Sequence, residues 1–193
     1  TFETVGTGLR IEQEVRFYAP DFTQGIVQNS GAEVTCPLTA HAVAGQTLVL
    51  EKLVCIRTSR DADERIAAAP GDWSFHALWG AHTAAWSHTW QNCDRTLPDE
   101  ELQIGLRYSM FQLMASCAAH DPTVSIGARG LTHARYKGCY FWDTDLFMLP
   151  FFLKNDKTAA KNLCLYRANA LDAARDHAKK MNAAGARYPW MAA

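Results

Sequence analysis

Residues 140–152 read Tyr140–Phe141–Trp142–Asp143–Thr144–Asp145–Leu146–Phe147–Met148–Leu149–Pro150–Phe151–Phe152, an aromatic loop end that runs directly into an apolar helix. Upstream lies a glycine-bearing loop, Val124 to Asp143, with Gly127, Gly130 and Gly138, a composition that interrupts regular structure. Downstream, a helix is expected from near Thr144 to a break around Lys154–Asn155. A second is expected from Asp156 to about Met181, stopped by Asn182 and Gly185. Within this frame Trp142 and Asp143 can do chemistry together. A flat indole covers the CH-rich face of a sugar, and a carboxylate accepts charge-assisted hydrogen bonds from neighbouring hydroxyls. Both also have ordinary structural roles, Trp142 in a core and Asp143 as the N-cap of the helix opening at Thr144. On chemistry alone those roles outweigh a site.

Toward the N-terminus the pattern is helical back to Arg60. Asp99–Glu100–Glu101 follows Pro98 and supplies a cap and an acidic first turn for a helix through about Ser116, carrying Leu102, Leu106, Met110 and Leu113. Glu100 and Glu101 could be offered as catalytic acids, but carboxylates opening a helix far more often serve its dipole. Asp72 is a candidate N-cap for an earlier helix, on which Trp79, Trp86 and Trp90 share one face. A core stripe is the expected role of those indoles.

The first 58 residues read instead as antiparallel β. Leu9, Ile11, Val15 and Phe17 alternate with Arg10, Glu12, Glu14 and Arg16, the period of a half-buried strand. Asn29–Ser30–Gly31 is a turn signal. Thr47 to Thr58 is a second strand, apolar on both faces and so expected to be covered on both. These strands alone do not complete a sandwich.

Composition removes several function classes. The chain of 193 residues is 48% hydrophobic and 20% charged, with a formal net charge of −1, a globular composition without the basic footprint of a nucleic-acid binder. No apolar run reaches the roughly 20 residues a bilayer requires, and Leu146 to Leu153 is interrupted by Pro150. Thr1 to Arg16 is charged throughout, unlike a signal peptide, and begins without Met, so the natural N-terminus is expected elsewhere. Six cysteines, at 36, 55, 93, 117, 139 and 164, form no CxxC pair and have no histidines at zinc spacing. Reduced thiols in a cytoplasmic protein, with no metal, are expected. The glycines match neither a P-loop nor a dinucleotide fingerprint.

The segment from Ser125 to Phe152 resembles the central signature of glycoside hydrolase family 65, which holds the maltose, trehalose, kojibiose and nigerose phosphorylases and the acid trehalases. The resemblance continues upstream through Glu51–Lys52–Leu53–Val54, Thr58–Ser59–Arg60–Asp61, His82–Thr83–Ala84–Ala85–Trp86 and Leu106–Arg107–Tyr108–Ser109–Met110–Phe111–Gln112–Leu113. Downstream it takes in Tyr166–Arg167 and Tyr188–Pro189–Trp190. It spans most of the chain and is weakest over the first 45 residues.

The resemblance implies a mixed fold. Residues 1–60 would be the last strands of an N-terminal antiparallel β-sandwich, 61–95 a helical linker, and 96–193 the first helices of an (α/α)6 catalytic barrel. It implies that Trp142 and Asp143 hold a glucosyl unit, with Trp190 lining the same pocket. The substrates implied are an α-linked glucose disaccharide and inorganic phosphate, with no other cofactor, giving β-glucose 1-phosphate with inversion. Homodimerisation is implied by analogy. The family's general acid is a Glu in Gly–Pro–Asp–Glu–Tyr–His, well beyond the Tyr–Pro–Trp segment, and these residues contain no match to it. That Glu is therefore expected C-terminal of Ala193. No catalytic residue is assigned within the chain, and the isolated chain is expected to be an inactive piece of a longer polypeptide. The sequence departs from the family at His133–Ala134–Arg135 (usually Gly–Glu–Gly), at Cys139 (usually His), at Asp145 (usually Glu) and at Ala168–Asn169–Ala170, which leaves acceptor and linkage open. The alternatives are a hydrolase of the same family and a non-catalytic glucoside-binding or structural protein.

Overall fold

The computed structural model describes residues 1–31, 33–60, 74–130 and 134–192. Asp61 and His133, quoted in the resemblance and its departures, lie outside the described residues. So does Ala193, the residue beyond which the general acid is expected. The chain contains two compact units, residues 1–87 and 88–193, the first mainly strand and the second mainly helix.

In the first unit, β1 (Phe2–Glu3), β2 (Arg10–Tyr18) and β7 (Glu51–Thr58) form an antiparallel sheet in the order β1-β2-β7. Between β2 and β7 lie two short ribbons, β3 (Thr23–Gln24) with β6 (Leu38–Thr39) and β4 (Gln28–Asn29) with β5 (Val34–Thr35). The expected Asn29–Ser30–Gly31 turn follows β4: Asn29 Oδ1 accepts the amide of Gly31 at 3.2 Å, and Gly31 has a φ of 79° that favours glycine. The register sets Val15 opposite Val54 and Glu12 opposite Arg57.

Two expectations for this sheet need correction. The second long strand begins at Glu51 rather than Thr47. It is also not covered on both faces by the described residues: Leu53 is buried, whereas Ile56 is 63% exposed and Val54 is exposed beside it. The alternation reports two apolar faces correctly, but only one finds cover among the described residues. Arg57 lies between Glu12 and Glu14, at 4.0 and 3.6 Å.

Helix α1 (Phe75–Cys93) is capped by Ser74, whose hydroxyl accepts the amide of Ala77 at 3.2 Å; the candidate cap Asp72 lies outside the described residues. The tryptophan stripe is covered only in part among the described residues: Trp86 and Trp90 are half-buried. Trp79 is 57% exposed, and Phe75, Trp79 and His82 stack in succession with centroids 6.0 and 5.7 Å apart.

In the second unit the expected helix appears as α2 (Glu100–Ser116), with Asp99 Oδ1 accepting the amide of Leu102 at 2.8 Å. Arg107 holds the incoming chain by a bidentate bond to Asp94, Nε to Oδ1 at 3.0 Å and Nη2 to Oδ2 at 2.5 Å. That hydrogen bond keeps the Asp94 carboxyl below its usual range.

The core gathers Ile126, Phe152, Ala159, Ala160 and Leu163, with Leu113, Met148 and Leu149 packed against them. Phe152 comes from α3 (Leu149–Asn155), and the alanines and Leu163 from α4 (Lys157–Asn169). The break between α3 and α4 falls where expected, because Asp156 Oδ1 accepts the amides of Thr158 and Ala159 and starts a new helix. The second helix is not continuous to Met181. It stops at Ala170, and α5 (Leu171–Lys180) begins at once, a break that no glycine or proline announces. Asn182, at a φ of 53°, and Gly185, at 84°, follow its end as expected. Among the described residues no helix is long and apolar enough to cross a membrane.

Candidate functional site

The site is built on a turn that is wider than an α-helix. Thr144–Met148 is π-helical, with the Leu149 amide donating to the Thr144 carbonyl. Pro150, near the start of α3, has no amide to give the Leu146 carbonyl, so the regular ladder cannot run through this point. The buried Thr144 anchors the turn, donating its hydroxyl to the Ile126 carbonyl at 2.8 Å. Single π-turns of this kind concentrate at functional sites.

Just before it, β8 (Tyr140–Phe141) pairs antiparallel with β9 (Met191–Ala192), Phe141 opposite Met191. This pairing brings Tyr188–Pro189–Trp190 beside Trp142. The Trp142 indole N–H donates to the Pro189 carbonyl at 2.9 Å, and the two indoles meet edge to face with centroids 5.6 Å apart. Trp142 is 40% exposed and Trp190 60%. Neither is a core residue, and their rings remain accessible for stacking.

Asp143 has helical backbone angles and its side chain makes no capping hydrogen bond. The helix-cap role considered for it is therefore incorrect. The Trp142 carbonyl already accepts the amides of Asp145 and Leu146, so the helical turn begins one residue earlier and leaves Asp143 inside it. Asp143 is half-buried as a residue, and its carboxylate has no partner among the described residues. No buried side-chain oxygen lacks a partner among the described residues, so this carboxylate is open to water, which a sugar hydroxyl can replace with a charge-assisted hydrogen bond.

The carboxylate that is satisfied is Asp145. Arg167 Nε lies 3.1 and 2.9 Å from its two oxygens, and Nη2 lies 2.7 Å from Oδ2. Arg167 Nη2 also donates to the Phe141 carbonyl at 3.2 Å, and the Arg167 carbonyl accepts the Tyr188 hydroxyl at 3.0 Å. The guanidinium sits over the rings of Tyr166 and Tyr188, 5.5 and 5.9 Å from their centroids. Burial pushes the Tyr166 phenol up, so it stays neutral. Sequence spacing gives no hint of an ion pair 22 residues apart; Arg167 stood out only within the quoted Tyr166–Arg167 resemblance.

A cavity of about 560 Å³ is lined by Trp142, Asp145, Leu146, Arg167, Ala186, Arg187 and Tyr188. Of the three residues assigned to a glucosyl site, Trp142 lines this cavity; Asp143 and Trp190 are not among its lining residues, Asp143 following Trp142 in sequence and Trp190 meeting its ring. Among the described residues no cluster of three or more potential metal ligands occurs.

Residues 107–193 match the glycosyl hydrolase family 65 central catalytic domain. The chain is 41% identical to the kojibiose phosphorylase of Caldanaerobacter subterraneus subsp. tengcongensis, over 77% of this chain and 20% of that protein. It is 35% identical to the α,α-trehalose phosphorylase of Thermoanaerobacter brockii, over 85% of this chain and 22% of that protein. A solved structure from the human microbiome, assigned as a kojibiose phosphorylase, is similar over 98% of this chain and 26% of its own, with a TM-score of 0.76 at 25% identity. The chain thus spans about a fifth of the length of the curated relatives it matches.

Proposed function

We propose, because this chain belongs to glycoside hydrolase family 65, that it supplies the glucosyl-binding platform of an inverting disaccharide phosphorylase. The observation that carries this reading is the water-accessible Asp143 carboxylate, without a partner among the described residues, next to the accessible indole of Trp142. In this reading Trp142, with Trp190 edge-on beside it, covers the apolar face of the glucosyl ring. Asp143 accepts two of its hydroxyls.

Phosphorolysis with inversion needs two further groups. A protonated carboxyl donates its proton to the glycosidic oxygen as the C1–O bond breaks, and a phosphate oxygen attacks C1 from the opposite face. The products are β-glucose 1-phosphate and the free acceptor sugar. In this reading the acid is the Glu of the Gly–Pro–Asp–Glu–Tyr–His motif that the family resemblance implies, C-terminal of Ala193. Relatives of which this chain covers only 20% support that placement. Residues 1–60 are read as the end of a β-sandwich, 61–95 as a linker, and 96–193 as the opening helices of an (α/α)6 barrel. The remainder of that longer polypeptide is then what covers the open sheet face.

The test is incubation of the complete protein with kojibiose, trehalose, nigerose or maltose, with and without phosphate, followed by NMR of the products. β-Glucose 1-phosphate formed only with phosphate is the expected result. Free glucose at an equal rate without phosphate assigns a hydrolase instead, and no turnover of any α-glucoside removes the catalytic reading. The 193-residue chain alone is expected to release neither product.

A further inference from the structure

We infer that Arg167, acting through Asp145, is the positioning residue that sets the geometry of the Trp142–Asp143 platform. Its two attachments bracket that pair: the guanidinium binds the Phe141 carbonyl on one side and the Asp145 carboxylate on the other. A second route leaves the same residue through its backbone. The Arg167 carbonyl takes the Tyr188 hydroxyl, Tyr188 precedes Pro189, and the Pro189 carbonyl takes the Trp142 indole N–H. Position 167 on α4 therefore holds the backbone that carries Trp142 through its side chain, and the segment that orients the ring through its own carbonyl, which Arg167→Lys leaves in place.

The pair is well placed for this work and poorly placed to contribute stability. Arg167 is 16% exposed and Asp145 31% at the side chain, so both lose water, and the Coulombic gain of a part-buried pair roughly offsets that loss. What a forked, bidentate contact supplies instead is direction. Lysine cannot replace it, since one ammonium cannot span Asp145 and Phe141 while lying flat between Tyr166 and Tyr188.

This inference rests on the glucosyl-platform reading, and the experiment separates the two. In the complete protein, Arg167→Lys and Asp145→Asn are each expected to lower kcat about 10- to 100-fold, the scale of a platform displaced by about an ångström. KM for phosphate should stay close to wild type; the melting temperature should fall little in Arg167→Lys, which keeps a cation opposite Asp145, and more in Asp145→Asn, which leaves the Arg167 guanidinium unpaired. Asp145→Glu, which keeps the charge and the fork, should recover most of the activity. A second readout needs no turnover. With 5-fluorotryptophan incorporated, the ¹⁹F signals of Trp142 and Trp190, assigned by Trp142→Phe and Trp190→Phe, should shift in Arg167→Lys while the other tryptophan signals stay in place. Unmoved signals for Trp142 and Trp190 overturn the inference. So does a uniform shift of every signal with a lowered melting temperature, which would make Arg167 a general structural residue. If the wild type turns over no α-glucoside but the two signals still move selectively, the positioning stands and the catalytic reading fails.

Discussion

Replacing Asp143 by Asn keeps the shape of the side chain and removes its charge, which isolates the property the platform requires. The structure sets the size of the effect. Asp143 makes no capping bond and has helical angles, so the substitution removes no hydrogen bond within the described residues. The melting temperature should move little, within the roughly 0.5 kcal/mol typical of such changes. A hydrogen bond between a hydroxyl and a carboxylate contributes about 1.5–3 kcal/mol, and about 1.4 kcal/mol is a factor of ten in rate. One such bond lost in the transition state lowers kcat/KM about tenfold to more than a hundredfold; two lost bonds lower it further. The assay is steady-state phosphorolysis by the complete protein alongside a thermal melt. Wild-type kcat/KM in Asp143→Asn would refute the reasoning, because it would show that no ligand uses the free carboxylate. A lost melting transition would refute it differently, by revealing a structural partner for that carboxylate.

Two further outcomes are expected from the packing around the site. Gly130 has a φ of 69°, and a Cβ there would sit 2.7 Å from Ser116 Oγ; Gly130→Ala should destabilise by about 1–2 kcal/mol from the backbone alone, and adding Ser116→Ala should recover only the part due to crowding, as read by denaturant titration. Burial pushes the Cys117 thiol up to about 11, with the Asp156 carboxylate adding to the effect, so at pH 8 it should be alkylated far more slowly than the exposed Cys164. Because the folded pKa is raised, the stability Cys117 contributes is intact below the unfolded thiol's pKa and declines as pH rises from there toward 11. Equal alkylation rates for the two thiols would contradict the burial.

What the sequence disclosed here was whatever a local signal encodes. Asp99 ahead of α2, Asp156 ahead of α4 and the Asn29–Gly31 turn are side chains that bond their own backbone within a few residues, so a short window contains the whole interaction. The misread features depend on distant partners. Asp143 resembles a cap in sequence, yet the Trp142 carbonyl accepts the amides of Asp145 and Leu146, so the helical turn starts ahead of it. The stop at Ala170 uses only ordinary residues. Trp79 and the outer face of β7 were expected to be buried, and their spacing is indeed that of buried positions. The described residues cover them only in part, in a chain that spans a fifth of the length of its relatives. The resemblance implies only that Trp190 lines the pocket of Trp142; the edge-to-face contact of the two rings and the Arg167–Asp145 ion pair depend on partners far apart in sequence.

The most direct test of the platform is a structure of the complete protein with glucose bound. It should show the pyranose ring lying against the Trp142 indole, with an Asp143 oxygen within about 3 Å of a sugar hydroxyl and Arg167 still paired to Asp145. A sugar bound away from Trp142, or an Asp143 carboxylate occupied by a protein donor, would contradict the account.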